Sequence, residues 1–143
     1  MCDWLAEPDV LAAASPLLYP SPLISIVEDD PSLREAMAGL VRSFGYRAAS
    51  FPSAEAFLIA GEADCSQCIV SDIHMPGLSG IEMALRLARR GCAAPIVMVT
   101  AREEPGLHQR ARESGALCVL SKPFTAEALM DCIGQALNGA KAG

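Results

Sequence analysis

Short apolar runs alternate with longer amphipathic stretches along most of this chain. The apolar runs predict five strands, at Leu23–Val27, Arg47–Phe51, Cys68–Ser71, Pro95–Val99 and Ala116–Leu120. Apolar residues at helical spacing predict five helices, at Pro31–Phe44, Ser53–Ala60, Ser79–Arg90, Pro105–Ser114 and Thr125–Leu137. Five β-α units in succession predict an α/β fold, in which helices cover both faces of a parallel sheet.

Capping residues support these helix boundaries. Asp30 precedes Pro31, which is the order expected for an N-cap followed by proline in the first helical turn. Ser79 and Glu82 have the spacing of a capping box. Three helices are followed by a glycine suited to a left-handed C-terminal position, namely Gly45, Gly91 and Gly115.

The ends of the chain differ in pattern from its middle. Residues 1–22 are rich in Ala and Pro and lack a clear period, so we expect a loosely ordered extension with Trp4, Leu17 and Tyr19 as candidates for local docking. Residues 23–137 form the predicted domain. Residues 138–143 are expected to be a tail too short for an output domain, so the chain would act through a partner unless it is part of a longer one.

Composition narrows the functional classes. The 143 residues are 52% hydrophobic and 20% charged, which is typical of one compact domain. The net charge of −6, with Lys122 and Lys141 as the two lysines, argues against bulk nucleic-acid binding. No apolar run approaches the roughly 20 residues of a membrane span. Acidic residues near the N-terminus argue against a secretory signal, so we expect a cytoplasmic location.

Six cysteines are consistent with a reducing compartment. Cys65 and Cys68 have the spacing of half a zinc site or of a redox pair. A structural zinc site needs four ligands, and no second Cys or His pair completes one. We therefore favour small apolar or surface roles for the cysteines.

Charged and polar residues follow the predicted central strands at the points where ligands bind in this kind of fold. The acidic run Glu28–Asp30 follows the first strand, Asp72 the third, Thr100 the fourth and Lys122 the fifth. Carboxylates this close repel one another unless a hard cation such as Mg²⁺ lies between them. Ionised Asp72 is then a candidate nucleophile toward phosphorus, with Thr100 bonding a phosphoryl oxygen and Lys122 supplying positive charge.

These separated motifs resemble the receiver domain of two-component response regulators over residues 23–137. The matching segments are Val27–Asp30, Asp72–Gly77, Gly80, Thr100–Ala101 and Lys122–Phe124. The resemblance implies a flavodoxin-like five-stranded sheet in the order 2-1-3-4-5. It also implies phosphotransfer to Asp72 from a histidine kinase or phosphotransfer protein. The chain would then be a self-phosphorylating and self-dephosphorylating acceptor rather than an enzyme acting on other molecules.

The resemblance also assigns a magnesium site and a backbone feature. It implies that Mg²⁺ is held by the side chains of Glu28, Asp29 and Asp72 and by the backbone carbonyl of His74. Asp30, by its position, is favoured as a helix cap over a metal ligand. A cis peptide bond between Lys122 and Pro123 is implied in the same way.

Signalling output is where the sequence departs from its relatives. Family members usually carry Tyr or Phe three residues before the lysine, where Val119 stands here. Thr100 and Val119 are therefore the expected switch positions, with the Arg102–Gly106 segment as the part most easily rearranged. Partner binding is expected on the face formed by the fourth helix, fifth strand and fifth helix.

Three other classes of protein are alternatives to a receiver domain, and each has its own sequence features. A phosphorylation-independent receiver-like interaction module would usually lack an acid, the Thr or the Lys. A flavodoxin-type cofactor binder disfavours acids after the first strand. A dehalogenase-type phosphatase wants an acid at position 74, where this chain has His74. The sequence leaves open whether the chain forms a homodimer.

Overall fold

A single parallel sheet organises the computed structural model, which describes residues 21–142. Its strands are β1 (Leu23–Val27), β2 (Arg47–Phe51), β3 (Cys68–Asp72), β4 (Ile96–Thr100) and β5 (Ala116–Ser121). Neighbouring strands pair in parallel in the order β2-β1-β3-β4-β5. The order reverses between β1 and β3, so a crevice forms beyond the carboxyl ends of these strands.

Five helices connect and cover the strands. They are α1 (Pro31–Ser43), α2 (Ala54–Ala60), α3 (Gly80–Arg89), α4 (Leu107–Glu113) and α5 (Ala126–Ala142), with a short 3₁₀ turn at Ala63–Cys65. Within the described residues, no helix is both long and apolar enough to cross a membrane.

Two apolar layers hold the helices against the sheet. On one face, α1 and α5 pack on the central strands through residues such as Val41 and Ile133, both fully buried. On the other face, α2, α3 and α4 pack through residues such as Phe57, Met83 and Leu107. Every residue of β1, β3 and β4 is buried, which explains why these strands are nearly continuous apolar runs. The sheet is therefore a rigid support for the loops at its carboxyl edge.

The α/β architecture, the strand order and the capping predictions are confirmed. Asp30 caps α1 by accepting a hydrogen bond from the Ser32 amide, and Ser79 and Glu82 form a complete capping box on α3. Gly45, Gly91 and Gly115 all have positive φ. Strands β3, β4 and β5 each continue one residue further than expected, to Asp72, Thr100 and Ser121.

Two helix boundaries differ from the sequence prediction by more than one residue. Helix α4 begins at Leu107 rather than Pro105, because Gly106 takes a left-handed conformation (φ 77°) that places it in the preceding turn. Helix α5 continues to Ala142, so residues 138–142 belong to it and are not a separate tail. The alanine-rich sequence of this segment favours helix strongly enough to outweigh Asn138 and Gly139. The predicted docking residues Trp4, Leu17 and Tyr19 lie outside the described residues.

Candidate functional site

Polar side chains from four strand ends meet at the carboxyl edge of the sheet. Glu28 directly follows β1, Asp72 ends β3, Thr100 ends β4 and Lys122 directly follows β5. Glu28, Asp72 and Thr100 are buried, and Lys122 is partly exposed. These residues therefore adjoin the crevice at the point where the strand order reverses.

One ammonium group lies against two buried carboxylates. The Lys122 Nζ atom is 3.0 Å from Asp72 Oδ2 and 3.2 Å from Glu28 Oε1. The other Glu28 oxygen, Oε2, accepts a hydrogen bond of 3.2 Å from the Asp30 amide. Arg34 of α1 donates to the Glu28 backbone carbonyl at 2.8 Å and so fixes the start of this acidic loop. Two buried acids therefore share one cation.

Burial and charge perturb the ionisation of this group. Burial raises the pKa of Glu28 to about 7, and the Asp72 charge acts in the same direction. Burial also lowers the pKa of Lys122, but its bonds to Asp72 and its proximity to Glu28 outweigh that effect, so the net pKa lies above the usual value. Lys122 is thus held in its charged form beside the acids.

Three carboxylates converge closely enough to bind one cation. Oxygens of Glu28, Asp29 and Asp72 lie within 4.8 Å of one another. This donor set is all oxygen and carries up to three negative charges against the single charge of Lys122, which fits a hard divalent cation. Asp30 is absent from this group, in agreement with its role as the α1 cap.

The loop after β3 keeps Asp72 in a defined environment. The His74 amide donates to Asp72 Oδ1 at 3.3 Å, and the Gly80 amide donates to the Ile73 carbonyl at 2.9 Å. A Cβ atom at position 80 would collide with the Asp72 carbonyl oxygen, so glycine permits α3 to start directly against the end of β3. A glutamate of α2, Glu55, accepts a hydrogen bond of 2.8 Å from the Leu78 amide in the same loop. This contact was not predicted from the sequence, because its two residues are 23 positions apart.

Thr100 is bonded to its own loop in this state of the protein. Its Oγ1 accepts a hydrogen bond of 3.0 Å from the Arg102 amide, and its carbonyl accepts one of 2.7 Å from the Lys122 amide. The Lys122–Pro123 peptide bond that follows is cis. The backbone hydrogen bond between Thr100 and Lys122 holds these two residues next to each other at the site.

Glu104 is the principal residue that sequence analysis missed. Its carboxylate lies 3.4 Å from His74 Nε2, 3.5 Å from Arg102 Nη1 and 3.6 Å from Arg110 Nη2. The rule that strand-end residues converge could have included it, because it lies four residues after the end of β4. Nothing in the local pattern, however, indicates that it crosses to the loop after β3.

Val119 and Cys68 have ordinary packing environments. Val119 is partly buried and packs on the apolar layer that contains α4. Cys68 is a free, buried thiol, so it does not pair with Cys65, and burial raises its pKa to about 12. The spacing of these two cysteines thus marks neither a redox pair with each other nor, among the described residues, a metal cluster.

Comparison with known proteins agrees with the geometry. Residues 24–134 match the family described as the response regulator receiver domain. Nodulation protein W of Bradyrhizobium diazoefficiens is 36% identical over 111 residues, which are 78% of this chain and 49% of that protein. Response regulator protein TmoT of Ectopseudomonas mendocina is 37% identical over 117 residues, which are 81% of this chain and 53% of that protein. The chain spans about half the length of these two relatives.

A solved structure supports the same relationship. The response regulator StyR is 38% identical and superposes with a TM-score of 0.77, covering 82% of this chain and 60% of that chain.

Proposed function

Since the chain belongs to the response regulator receiver family, we propose that Asp72 accepts a phosphoryl group from a histidine kinase or a phosphotransfer protein. The observation that carries this proposal is the contact between Asp72 and Lys122 at a site with three converging carboxylates. Asp72 ends the central strand β3 and has an ammonium group 3.0 Å away, which places positive charge beside the carboxylate that would attack phosphorus.

The residues that would hold Mg²⁺ are Glu28, Asp29 and Asp72, together with the backbone carbonyl of His74. The three side chains fit this ion because they offer only oxygen ligands and together carry an excess of negative charge. When bound, the ion would supply positive charge that screens the acids from an incoming phosphate.

In the proposed phosphoryl transfer, one bond to phosphorus forms at Asp72 and one breaks at the donor. A carboxylate oxygen of Asp72 forms a bond to phosphorus while the bond from phosphorus to the donor breaks, and the donor leaves with the electron pair. Lys122 stabilises the charge of the transferring group, and the Thr100 hydroxyl donates to one of its oxygens after leaving the Arg102 amide. Hydrolysis of the resulting acyl phosphate restores Asp72 and inorganic phosphate.

Output is proposed to pass through protein contacts. The relatives are named as a response regulator and a nodulation protein, and each is about twice the length matched here. We propose that the face formed by α4, β5 and α5 binds a downstream protein, and that the chain works in the cytoplasm without contacting nucleic acid or membrane itself. Residues 23–137 are the proposed receiver unit.

The rival hypothesis is a receiver-like module that binds partners without phosphorylation. No observation at the site favours it, because Glu28, Asp29, Asp72, Thr100 and Lys122 are all present and adjoin one crevice. The sequence changes that usually mark such modules are absent from these positions.

Intact-protein mass spectrometry after incubation with acetyl phosphate decides between the two. We expect the wild type to gain the mass of one phosphate in the presence of Mg²⁺ and to gain none in the presence of EDTA. Asp72→Asn should gain none in either condition, while Ser71→Ala, a matched change at the adjacent residue, should behave as the wild type. An unmodified wild type would favour the phosphorylation-independent module.

A further inference from the structure

A single carboxylate joins three basic side chains around the crevice. Glu104 lies in the loop between β4 and α4, and its Oε1 atom contacts both His74 Nε2 at 3.4 Å and Arg102 Nη1 at 3.5 Å. Its Oε2 atom lies 3.6 Å from Arg110 Nη2 on α4. The loop after β3, the loop after β4 and helix α4 are therefore tied to one group.

This group is connected to the phosphoacceptor on both sides. His74 donates its amide to Asp72 Oδ1, and Arg102 donates its amide to Thr100 Oγ1. Asp72, His74, Glu104, Arg102 and Thr100 thus follow one another through direct contacts from the end of β3 to the end of β4. A change of charge at Asp72 therefore acts on His74 and Arg102, two of the three basic partners of Glu104.

We propose that Glu104 is a positioning residue that holds Arg102 in the unphosphorylated protein and competes for it with the phosphoryl group on Asp72. This inference rests on the proposed function of Asp72. The phosphoryl group carries about 1.5 to 2 negative charges and three acceptor oxygens, so it is a stronger partner for a guanidinium than one carboxylate. Phosphorylation then moves Arg102 toward the phosphoryl group and leaves Glu104 with fewer cationic partners.

The rearrangement has a direct route to α4. Glu104 also accepts from the Leu107 amide through its backbone carbonyl at 3.1 Å, at the first residue of α4. Arg110 additionally donates to the Pro105 carbonyl at 3.4 Å. Loss of the Arg102 contact therefore loosens the loop that starts α4, which is one side of the proposed partner face.

Removing the negative charge of Glu104 has two electrostatic effects on the site. Arg102 no longer has a competing partner, and a negative charge near the incoming anion disappears. Both effects strengthen binding of an anion at Asp72. Because these ion pairs are half exposed, with 40% of the Glu104 side chain accessible, the effect is modest.

The test is the affinity for beryllofluoride, a stable phosphoryl mimic, measured by calorimetry in Mg²⁺. We expect Glu104→Gln to bind it about threefold more tightly than the wild type, the scale of exposed ion pairs. Glu104→Asp, which keeps the negative charge, should bind beryllofluoride with an affinity closer to that of the wild type. Glu103→Gln is the matched control, because it changes the net charge equally at an exposed neighbour that forms no ion pair within the described part of the chain. It should bind as the wild type does.

A double-mutant cycle shows whether the effect passes through Arg102. In an Arg102→Gln background, the gain from Glu104→Gln should fall to less than half of its size in the wild type. An equal gain in both backgrounds overturns the proposal, as does equal binding by the wild type, Glu104→Gln and Glu103→Gln, or an equal gain from Glu103→Gln. If the wild type fails to bind beryllofluoride at all, the proposed function of Asp72 fails instead.

Discussion

The Lys122 ammonium lies 3.0 Å from Asp72 Oδ2 and 3.2 Å from Glu28 Oε1, so one cation is shared by two buried acids. The two acids come from opposite sides of the point where the strand order reverses, and the lysine reaches them from β5. Lys122 therefore compensates part of the charge that a divalent cation would otherwise neutralise. This relationship leads to the first two predictions.

Replacement of Lys122 should strengthen metal binding. Lys122→Met removes a positive charge that contacts two of the proposed ligands, so Mg²⁺ meets less repulsion and less competition. We expect its dissociation constant to fall by roughly tenfold, equivalent to about 1.4 kcal/mol. Isothermal titration calorimetry measures this directly. Arg89→Gln removes the same charge at the C-terminal end of α3, which is the end away from the site, and should leave the dissociation constant unchanged. A weaker affinity for Mg²⁺ in Lys122→Met would refute the prediction.

Glu28 should make the metal-free protein less stable as the pH rises. Its folded pKa of about 7 lies above the usual glutamate value of 4.5, mainly because it is buried. A raised pKa means that the folded protein binds more protons, so this stabilising contribution is complete below pH 4.5 and is lost as the pH rises through 7. The shift corresponds to up to about 3 kcal/mol.

Urea unfolding in EDTA at pH 5 and pH 8 tests this expectation. The free energy of unfolding of Glu28→Gln should change less between the two pH values than that of the wild type. Glu35→Gln, an exposed acid on α1, serves as the control and should retain the wild-type difference. An unchanged difference in Glu28→Gln would show that Glu28 titrates as an ordinary exposed acid.

Much of this arrangement is predictable because it depends on regular structure. The ends of apolar strands locate Glu28, Asp72, Thr100 and Lys122, and parallel pairing brings strand ends to one edge. Asp30 is also predictable as a cap, since capping depends on local sequence alone. The ligand set and the strand order came from resemblance to a family.

Other features depend on tertiary structure and were missed. Gly106 is compatible with either a helix or a turn, and only the path from β4 to α4 places it at a φ of 77°. Glu104 contacts His74 because two loops, each irregular, approach each other. Glu55 reaches Leu78 across the sheet edge for the same reason. Such contacts have no periodic signal in sequence.

Thr100 should couple the site to the loop that follows it. In Thr100→Val the hydroxyl that bonds the Arg102 amide is absent, so an added phosphoryl group cannot draw it away. We expect beryllofluoride to change hydrogen exchange between residues 100 and 114 in the wild type and to change it little around Val119. Thr100→Val should lose most of this response, whereas Thr100→Ser should keep it. An equal response in Thr100→Val would exclude this route of output.

Arg102 should influence the lifetime of the phosphoryl group more than its formation. Its exposed side chain can pair with phosphoryl oxygens and shield them from water, but it does not contact Asp72 in the unphosphorylated protein. We expect Arg102→Ala to lose phosphate about threefold faster than the wild type. The rate of phosphate uptake from acetyl phosphate should change by less than about 1.5-fold. Small substitutions at His74 should act in the same direction. Arg112→Ala on α4 is the control, and an unchanged decay in Arg102→Ala would contradict the prediction.

Chemical trapping at residue 72 tests the central claim most directly. Borohydride reduces an aspartyl phosphate to homoserine, so the modified residue is identified by peptide mass spectrometry after phosphorylation in Mg²⁺. We predict homoserine at position 72 of the wild type, none in Asp72→Asn, and no borohydride-reduced side chain at Glu28, Asp29 or Asp30 in either protein. Homoserine at another acidic position, or a stable phosphate on Ser71 or Ser79 that borohydride leaves intact, would contradict the assignment of Asp72 as the phosphoacceptor.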